Sequence, residues 1–333
     1  MSCINPWIVW DSTTGKRKMI PFDKASDIML QLHNSVFDCG KCLFCRKKSS
    51  NELALRCVLH ASLYKNNCFL TLTYDEKKEG YNNELQYKHI QDFKKNLRRQ
   101  VEYHHGKRIE IFNVHEYGKN GKKHWHLIIF NFDFPDKQYF TTKKGNKLFT
   151  SPWLETKWKF GFNTIGDVDE GTALYQAQYT QKDITNGNAD TEKKAKSNHR
   201  GIGLPWFEQN YAQVMQLGYV PNNGFKNPFP RTFERRAHKH FSHFYEPWNF
   251  ETLICGKKPM YGKFKNQEEN VEIANLYPIL MQQKEAYKQR KQAEWSNVIN
   301  EYLSTKKKPA FVQSCENKMH DLKNKSWQKQ EIF

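Results

Sequence analysis

Residues 108–132, RIEIFNVHEYGKNGKKHWHLIIFNF, restrict the fold more than any other stretch of the chain. Residues 109–117 are rich in β-branched and aromatic types, 118–121 read Gly-Lys-Asn-Gly, and 124–130 are again apolar and alternating. This pattern predicts a β-hairpin closing around Asn120. Successive strand side chains point to opposite faces, so His124 and His126 share one face while Trp125 and Leu127 take the other. The hairpin sets Glu116 opposite that pair. Two imidazoles and a carboxylate converging on one point form the composition expected of a divalent-cation site with positions open for a substrate oxygen. Taken alone, the same residues also suit a half-exposed strand and a solvated carboxylate. The apolar surroundings and a tyrosine pair downstream favour the metal.

The chain of 333 residues carries 53 Lys+Arg against 35 Asp+Glu, a formal charge of +18 and a pI near 9.4. Such a balance favours a polyanionic partner, nucleic acid first and an anionic membrane surface second. No apolar run approaches the roughly 18 residues of a membrane-spanning helix. The stretch MSCINPWIVWDSTTGKRK lacks the order of a signal peptide, so a soluble intracellular protein is expected. The length allows one large domain or two smaller ones. Eight cysteines in this context are not a disulfide framework. Cys39, Cys42 and Cys45 form C-x2-C-x2-C, which wraps a zinc ion if Cys57, His60 or His33 completes the set, Cys57 being the first choice. The alternative is three reduced cysteines in a tight turn at Gly40.

Residues 1–38 suggest only short strands or loops. Ser49 with Glu52 reads as a capping box opening a helix with Leu53, Cys57, Val58 and Ala61 on one face. Residues 68–74 predict a strand apolar on both faces, as in the middle of a covered sheet. Ile90, Phe93, Leu97 and Val101 mark a helix, and Lys94, Lys95, Arg98 and Arg99 within it form a solvated face or a phosphate track. Lys122 and Lys123 beside the hairpin turn join them as candidate DNA-binding residues. A polar insertion at 135–151, a glycine-interrupted strand at 158–168 and a helix at about 172–183 follow. On that helix Tyr175 and Tyr179 share a face, with Lys182 nearly in line one turn on. This order predicts an α+β domain with an antiparallel sheet and helices on one face. Residues 231–265 interleave aromatic and basic residues, including His238, His240 and His243, and either grip DNA or pack on the core. A helix is predicted at 279–303, ended by Lys306-Lys307-Lys308-Pro309 and followed by a polar tail.

Six stretches in order resemble a known family: CGKCLFCRKKSSNELALRC, NNCFLTLTYDE, HEYGKNGKKHWHLIIF, WKFGFNTIGDV, YQAQYTQKD and NHRGIGLPWFEQNY. They are similar to the HUH endonucleases of rolling-circle replication, and within them to the replication initiators of the gokushovirus branch of the microviruses, which are single-stranded DNA bacteriophages. The resemblance runs from about residue 39 to 211. It implies an HUH endonuclease fold, with a central antiparallel sheet, flanking helices and RRM/ferredoxin-like topology, at 49–230. The Cys-cluster segment at 1–48 precedes it, and a basic aromatic, mainly helical C-terminal extension at 231–333 follows.

The resemblance further implies that His124 and His126 are metal ligands with Glu116, that Tyr175 and Tyr179 are nucleophiles, and that Lys182 is an active-site lysine. The activity implied is nicking of origin DNA with Mg2+ or Mn2+, leaving a 5′-phosphotyrosine and a 3′-hydroxyl primer, followed by strand transfer and rejoining. Single-stranded and origin DNA are the implied partners, in the host bacterial cytoplasm and with no membrane. No G-x4-G-K-[ST] motif occurs, so a host helicase is expected to unwind the duplex and a host DNA polymerase to extend the primer. The alternatives are a plasmid or transposon HUH nickase and a non-catalytic protein that binds single-stranded nucleic acid. The tyrosine pair argues against one-tyrosine transposases, and the order of histidines before tyrosines argues against relaxases.

Overall fold

Short amphipathic strands begin the chain, and in the computed structural model β1 (Trp7–Asp11), β2 (Arg17–Pro21) and β3 (Ser35–Phe37) pair antiparallel in the order β2-β1-β3. The structure describes residues 3–11, 15–77, 86–117, 123–143, 145–182, 195–196, 201–241, 267–318 and 320. Helix α1 (Asp27–Gln31) lies between β2 and β3, capped by the Ser26 side chain. Helix α2 (Leu43–Ala61) follows. It begins at Leu43, so Ser49 and Glu52 lie inside the helix and do not cap it. The first-turn bond is from Arg46 N to the Cys42 carbonyl. Two units divide the chain, Met1–Ser49 with Val271–Phe333, and Ser50–Asn270.

The second unit is built on a seven-stranded antiparallel sheet. Its members are β4 (Asn67–Thr73), β5 (Glu110–Tyr117), β6 (Lys123–Phe130), β7 (Gln138–Lys143), β8 (Asn146–Thr150), β9 (Asn163–Gly166) and β10 (Ala195–Lys196), in the order β10-β5-β6-β4-β9-β8-β7. The expected polar insertion therefore contributes a hairpin, β7 with β8, that extends the sheet through Phe149 opposite Ile165. As expected, β4 is central, between β6 and β9.

Alternate residues of β4, β5 and β6 are apolar on both sides, and both sides are covered. On one face Cys68, Leu70, Leu72, Ile111, Trp125, Leu127 and Ile129 pack against Ile90, Phe93, Leu97 and Val101 of α3 (Tyr87–His105) and Leu154 of α4 (Pro152–Lys157). On the other, Phe69, Phe112, Val114, Ile128 and Phe130 pack against Leu53, Ala54, Cys57 and Ala61 of α2 and Ala173 and Ala177 of α5 (Glu170–Lys182). The expectation of helices on one face is thus corrected. Two apolar faces need two layers, because each fully buried large apolar side chain contributes about 1.5–3 kcal/mol.

The expected strand at 158–168 shortens to β9. Before it, the chain crosses the end of β4: Trp158 Nε1 donates to Thr73 O at 2.8 Å, Asp75 N to Phe160 O at 2.9 Å and Thr73 N to Phe162 O at 2.8 Å. That crossing demands Gly161, since a Cβ there would stand 2.2 Å from Thr73 O. Beyond the sheet, α6 (Leu204–Leu217), β11 (Val220–Asn222), β12 (Phe225–Asn227) and α7 (Arg231–Phe241) complete the unit, with Phe207 and Phe233 stacked at 4.8 Å. Residues 242–266, with His243, and the side chains of His238 and His240 lie outside the described residues. So do the hairpin turn at 118–121 and Lys122.

In the first unit the C-terminal helix is longer than predicted. Helix α8 (Gln267–Thr305) ends at Lys306, whose φ of +55° is left-handed, and 310–318 are helical again where a polar tail was expected. Trp295, Val298, Ile299 and Val312 are buried with Ile8, Leu30 and Val36. Residues 321–333 of the expected tail lie outside the described residues. No helix among the described residues is long and apolar enough to cross a membrane. Gly161→Ala is expected to destabilise the protein by about 2–3 kcal/mol, read as a lower denaturant midpoint at unchanged slope, because the obstructing Thr73 carbonyl belongs to a central strand.

Candidate functional site

In the β5–β6 register Glu116 stands opposite His124 and Val114 opposite His126, while β4 sets Thr71 opposite His126 and Thr73 opposite His124. Six residues of one sheet face therefore meet at its end: Phe69, Thr71, Thr73, Glu116, His124 and His126. His126 is only 4% exposed. Its Nε2 lies 3.0 Å from Glu116 Oε2, its Nδ1 lies 3.1 Å from Thr71 Oγ1, and its ring stacks on Phe69 at 5.5 Å.

Helix α5 brings the phenol to the same point. Asp169 and Thr172 cap its start reciprocally: Thr172 N donates to Asp169 Oδ1 at 2.6 Å, and Asp169 N to Thr172 Oγ1 at 2.8 Å. Small Ala173 and Ala177 let the helix approach the sheet, and buried Gln176 donates Nε2 to Phe112 O at 2.6 Å. Tyr175 then leans over the sheet end and donates its hydroxyl to Glu116 Oε2 at 2.9 Å, with its ring edge-on to His126 at 5.3 Å. The Tyr175 side chain is 41% exposed, so solvent and a polymer both reach it. One carboxylate oxygen thus touches an imidazole and a phenol at once.

These groups fit a divalent cation in their chemistry. A hydroxyl on His126 Nδ1 orients Nε2 toward the carboxylate, the outer contact that metal-binding histidines ordinarily make. His124 shares the face, its ring 5.8 Å from that of His126. Among the described residues, Glu116, His124 and His126 do not form a set with donor atoms all within 4.8 Å of one another, so His124 stands off from the other two. Tyr179 and Lys182 fall on α5 as expected, but their side chains lie outside the described residues.

The expected basic track is corrected. Lys94 is 8% exposed and donates Nζ to Asn113 Oδ1 at 2.8 Å. Its position four residues after Ile90 and three before Leu97 puts it on the buried stripe of α3. Burial, with Arg98 nearby, lowers its pKa to about 8. Lys95 and Arg99 are exposed and Arg98 is half-buried, but α3 covers the sheet face opposite the histidines. Lys123 is also corrected: it is 7% exposed, and strand alternation turns it away from His124.

The cysteine expectation is met in part. The sulfurs of Cys39, Cys42 and Cys45 gather, but the fourth member is Cys3, with all four within 4.8 Å of one another. Cys57 is fully buried among Leu53, Phe112 and Phe130. Twelve residues beyond Cys45 on a continuous helix place it about 18 Å along the axis. His60 instead accepts from Gly203 N at 3.2 Å, and His33 Nδ1 lies 2.6 Å from Leu30 O. The Gly201–Trp206 stretch docks on α2: Arg56 Nε donates to Ile202 O at 2.8 Å, and Gly203, with φ +81°, admits no Cβ without meeting Arg56 at 3.0 Å. Sequence reasoning missed Phe69, Thr71 and Cys3. Strand alternation puts Phe69 and Thr71 on one face of β4, a signal that was present in the sequence, whereas Cys3 carries no spacing signal.

Residues 67–184 match the family model of the replication-associated protein ORF2 type, a span running from β4 through α5 and containing the whole site. The chain is 34% identical over 208 residues to replication-associated protein ORF4 of Chlamydia phage 1, covering 59% of this chain and 52% of that protein. It is 30% identical over 245 residues to replication-associated protein VP4 of Bdellovibrio phage phiMH2K, covering 70% and 76%. It is 29% identical over 263 residues to replication-associated protein ORF2 of Spiroplasma virus 4, covering 72% and 81%. The chain spans about half the length of the Chlamydia phage protein. No solved structure matches it.

Between pH 8 and the ordinary lysine value of 10.5, the unfolded chain holds a proton at Lys94 that the folded chain has released, so this group adds stability as pH rises through that window. Below it both states are protonated and the desolvation cost is fully felt. Lys94→Met is expected to lack that rise, measured as urea midpoints from neutral to alkaline pH against the unaltered protein.

Proposed function

This chain belongs to the replication-associated proteins of gokushovirus-like microviruses, and from that premise we propose that it is a replication initiator whose HUH endonuclease domain nicks origin DNA with a tyrosine nucleophile. The observation that carries this reading is Glu116 Oε2, shared by His126 Nε2 at 3.0 Å and the Tyr175 hydroxyl at 2.9 Å.

Magnesium or manganese bound by Glu116, His124 and His126 supplies Lewis-acid polarisation of the scissile phosphate, an anionic oxygen substrate that favours hard ions over zinc. The Tyr175 oxygen attacks phosphorus, the bond to the 3′ oxygen breaks, and the DNA 5′ end is left as a phosphotyrosine. The departing 3′ oxygen takes up a proton and becomes the primer hydroxyl. Glu116 Oε2 is the acceptor already in contact with the phenol proton, and Thr71 keeps the His126 ring in place during the exchange. The tyrosyl phosphate retains the energy of the broken diester, so a 3′ hydroxyl attacking it rejoins strands without ATP. Tyr179, one turn along α5, is the second nucleophile in this reading, and Lys182 is the cation beside the transferring phosphate. Exposed Tyr175 faces single-stranded DNA in the host cytoplasm. A host helicase opens the duplex and a host polymerase extends the 3′ end.

A labelled single-stranded origin oligonucleotide incubated with the protein and Mn2+ is expected to yield an adduct that survives denaturation. Tyr175→Phe with Tyr179→Phe abolishes it, and His124→Ala with His126→Ala lowers its rate by about 100-fold or more. Retardation of the oligonucleotide by the unaltered protein with no covalent product would instead mark a non-catalytic binding protein. Thr71→Val, which keeps shape but removes the Nδ1 partner, is expected to weaken Mn2+ binding about 10–100-fold in calorimetric titration.

A further inference from the structure

We propose that Cys3, Cys39, Cys42 and Cys45 bind one zinc ion as a four-thiolate structural site within the first unit. All four sulfurs lie within 4.8 Å of one another, and Cys39 Sγ is 3.9 Å from Cys45 Sγ. Zinc–sulfur bonds of about 2.3 Å in a tetrahedron set sulfur–sulfur edges of about 3.8 Å. Disulfide sulfurs stand far closer, at about 2.05 Å, so the spacing is that of ligands around an ion. An iron–sulfur cluster, with several irons and sulfides between its thiolates, needs a wider ring than this.

The backbone around the sulfurs is arranged for thiolates. The turn Cys39-Gly40-Lys41-Cys42 bends at Gly40, whose φ is +71°. Lys41 N and Cys42 N donate to Cys39 Sγ at 3.4 and 3.3 Å, and Cys39 N donates to Cys3 Sγ at 3.3 Å. Amide donors stabilise a charged sulfur much more than a neutral thiol. Cys42 and Cys45 sit at the N-terminal end of α2, where Cys42 O accepts the first helical bond from Arg46 N. The positive end of the helix dipole therefore faces the thiolates. Basic residues Lys41, Arg46, Lys47 and Lys48 accompany the motif in sequence and offset the charge of the zinc tetrathiolate.

Four protein ligands leave no open coordination position, so the site ties chain to chain and performs no catalysis. It joins residue 3 to the turn at 39–45, enclosing β1, β2 and β3. Because metal binding is coupled to folding, the ion stabilises this unit. The proposal does not rest on the nuclease reading, and the Tyr175→Phe variant retains the zinc.

The test is metal analysis of the full chain purified under reducing conditions. One zinc per chain is expected, released by a mercurial reagent in step with modification of four thiols, and replaceable by cobalt with the ligand-field spectrum of a tetrahedral tetrathiolate. Cys3→Ser and Cys42→Ser each lower the zinc content, whereas Cys57→Ser leaves one equivalent. Metal-free protein with an unchanged circular dichroism spectrum, iron in place of zinc, a disulfide among the four cysteines, or zinc lost equally on Cys57→Ser would overturn the proposal. The measurements on the unaltered protein stand even if a serine variant fails to fold.

Discussion

The registers of β5 on β6 and of β6 on β4 are the constraint from which the site follows. Opposed residues on neighbouring antiparallel strands have Cβ atoms about 4.5–5.5 Å apart, so Glu116 opposite His124 and Thr71 opposite His126 are brought within side-chain reach. A slip of one residue would turn every side chain of β6 to the other face. Trp125, between the two histidines, holds the register. It is fully buried, and its Nε1 donates to Tyr74 Oη at 3.2 Å. Turning it out to water would forfeit at least about 2–3 kcal/mol of apolar burial. Burial at the same place pushes the Tyr74 hydroxyl up to about 12, so it stays protonated across ordinary pH. The residue that separates the imidazoles in sequence is thus the one that keeps them together in space.

A second constraint is the closeness of α5 to the sheet. Two alanines and a glutamine form its underside, and Gln176 donates its amide to the Phe112 carbonyl, which otherwise faces an apolar layer. Larger residues there would lift the helix and draw Tyr175 away from Glu116. The Asp169–Thr172 cap determines where the helix starts and therefore the height of the phenol above the histidines. Sheet register and helix height act together on one carboxylate oxygen.

The reading of local pattern reached a long way. Period two put His124 and His126 on one face with Glu116 across the turn, and the structure has them there. The apolar pattern of 68–72 gave a central strand, and Ile90, Phe93, Leu97 and Val101 gave the buried stripe of α3. Lys94 sits on that same stripe, and its burial was legible from spacing had the periodicity been weighed above the charge. The Gly161 interruption was visible as a glycine, while the carbonyl that requires it belongs to a strand far upstream.

What the amino-acid order determined by itself is which residues share a face, because strand and helix periods depend on neighbours along the chain. Which faces meet was decided only in the folded molecule. Two helical layers instead of one, Cys3 in place of Cys57 beside the C-x2-C-x2-C turn, and Tyr175 over Glu116 all join positions distant in sequence. Such partners are chosen by packing and burial across the whole core, and no local spacing encodes them.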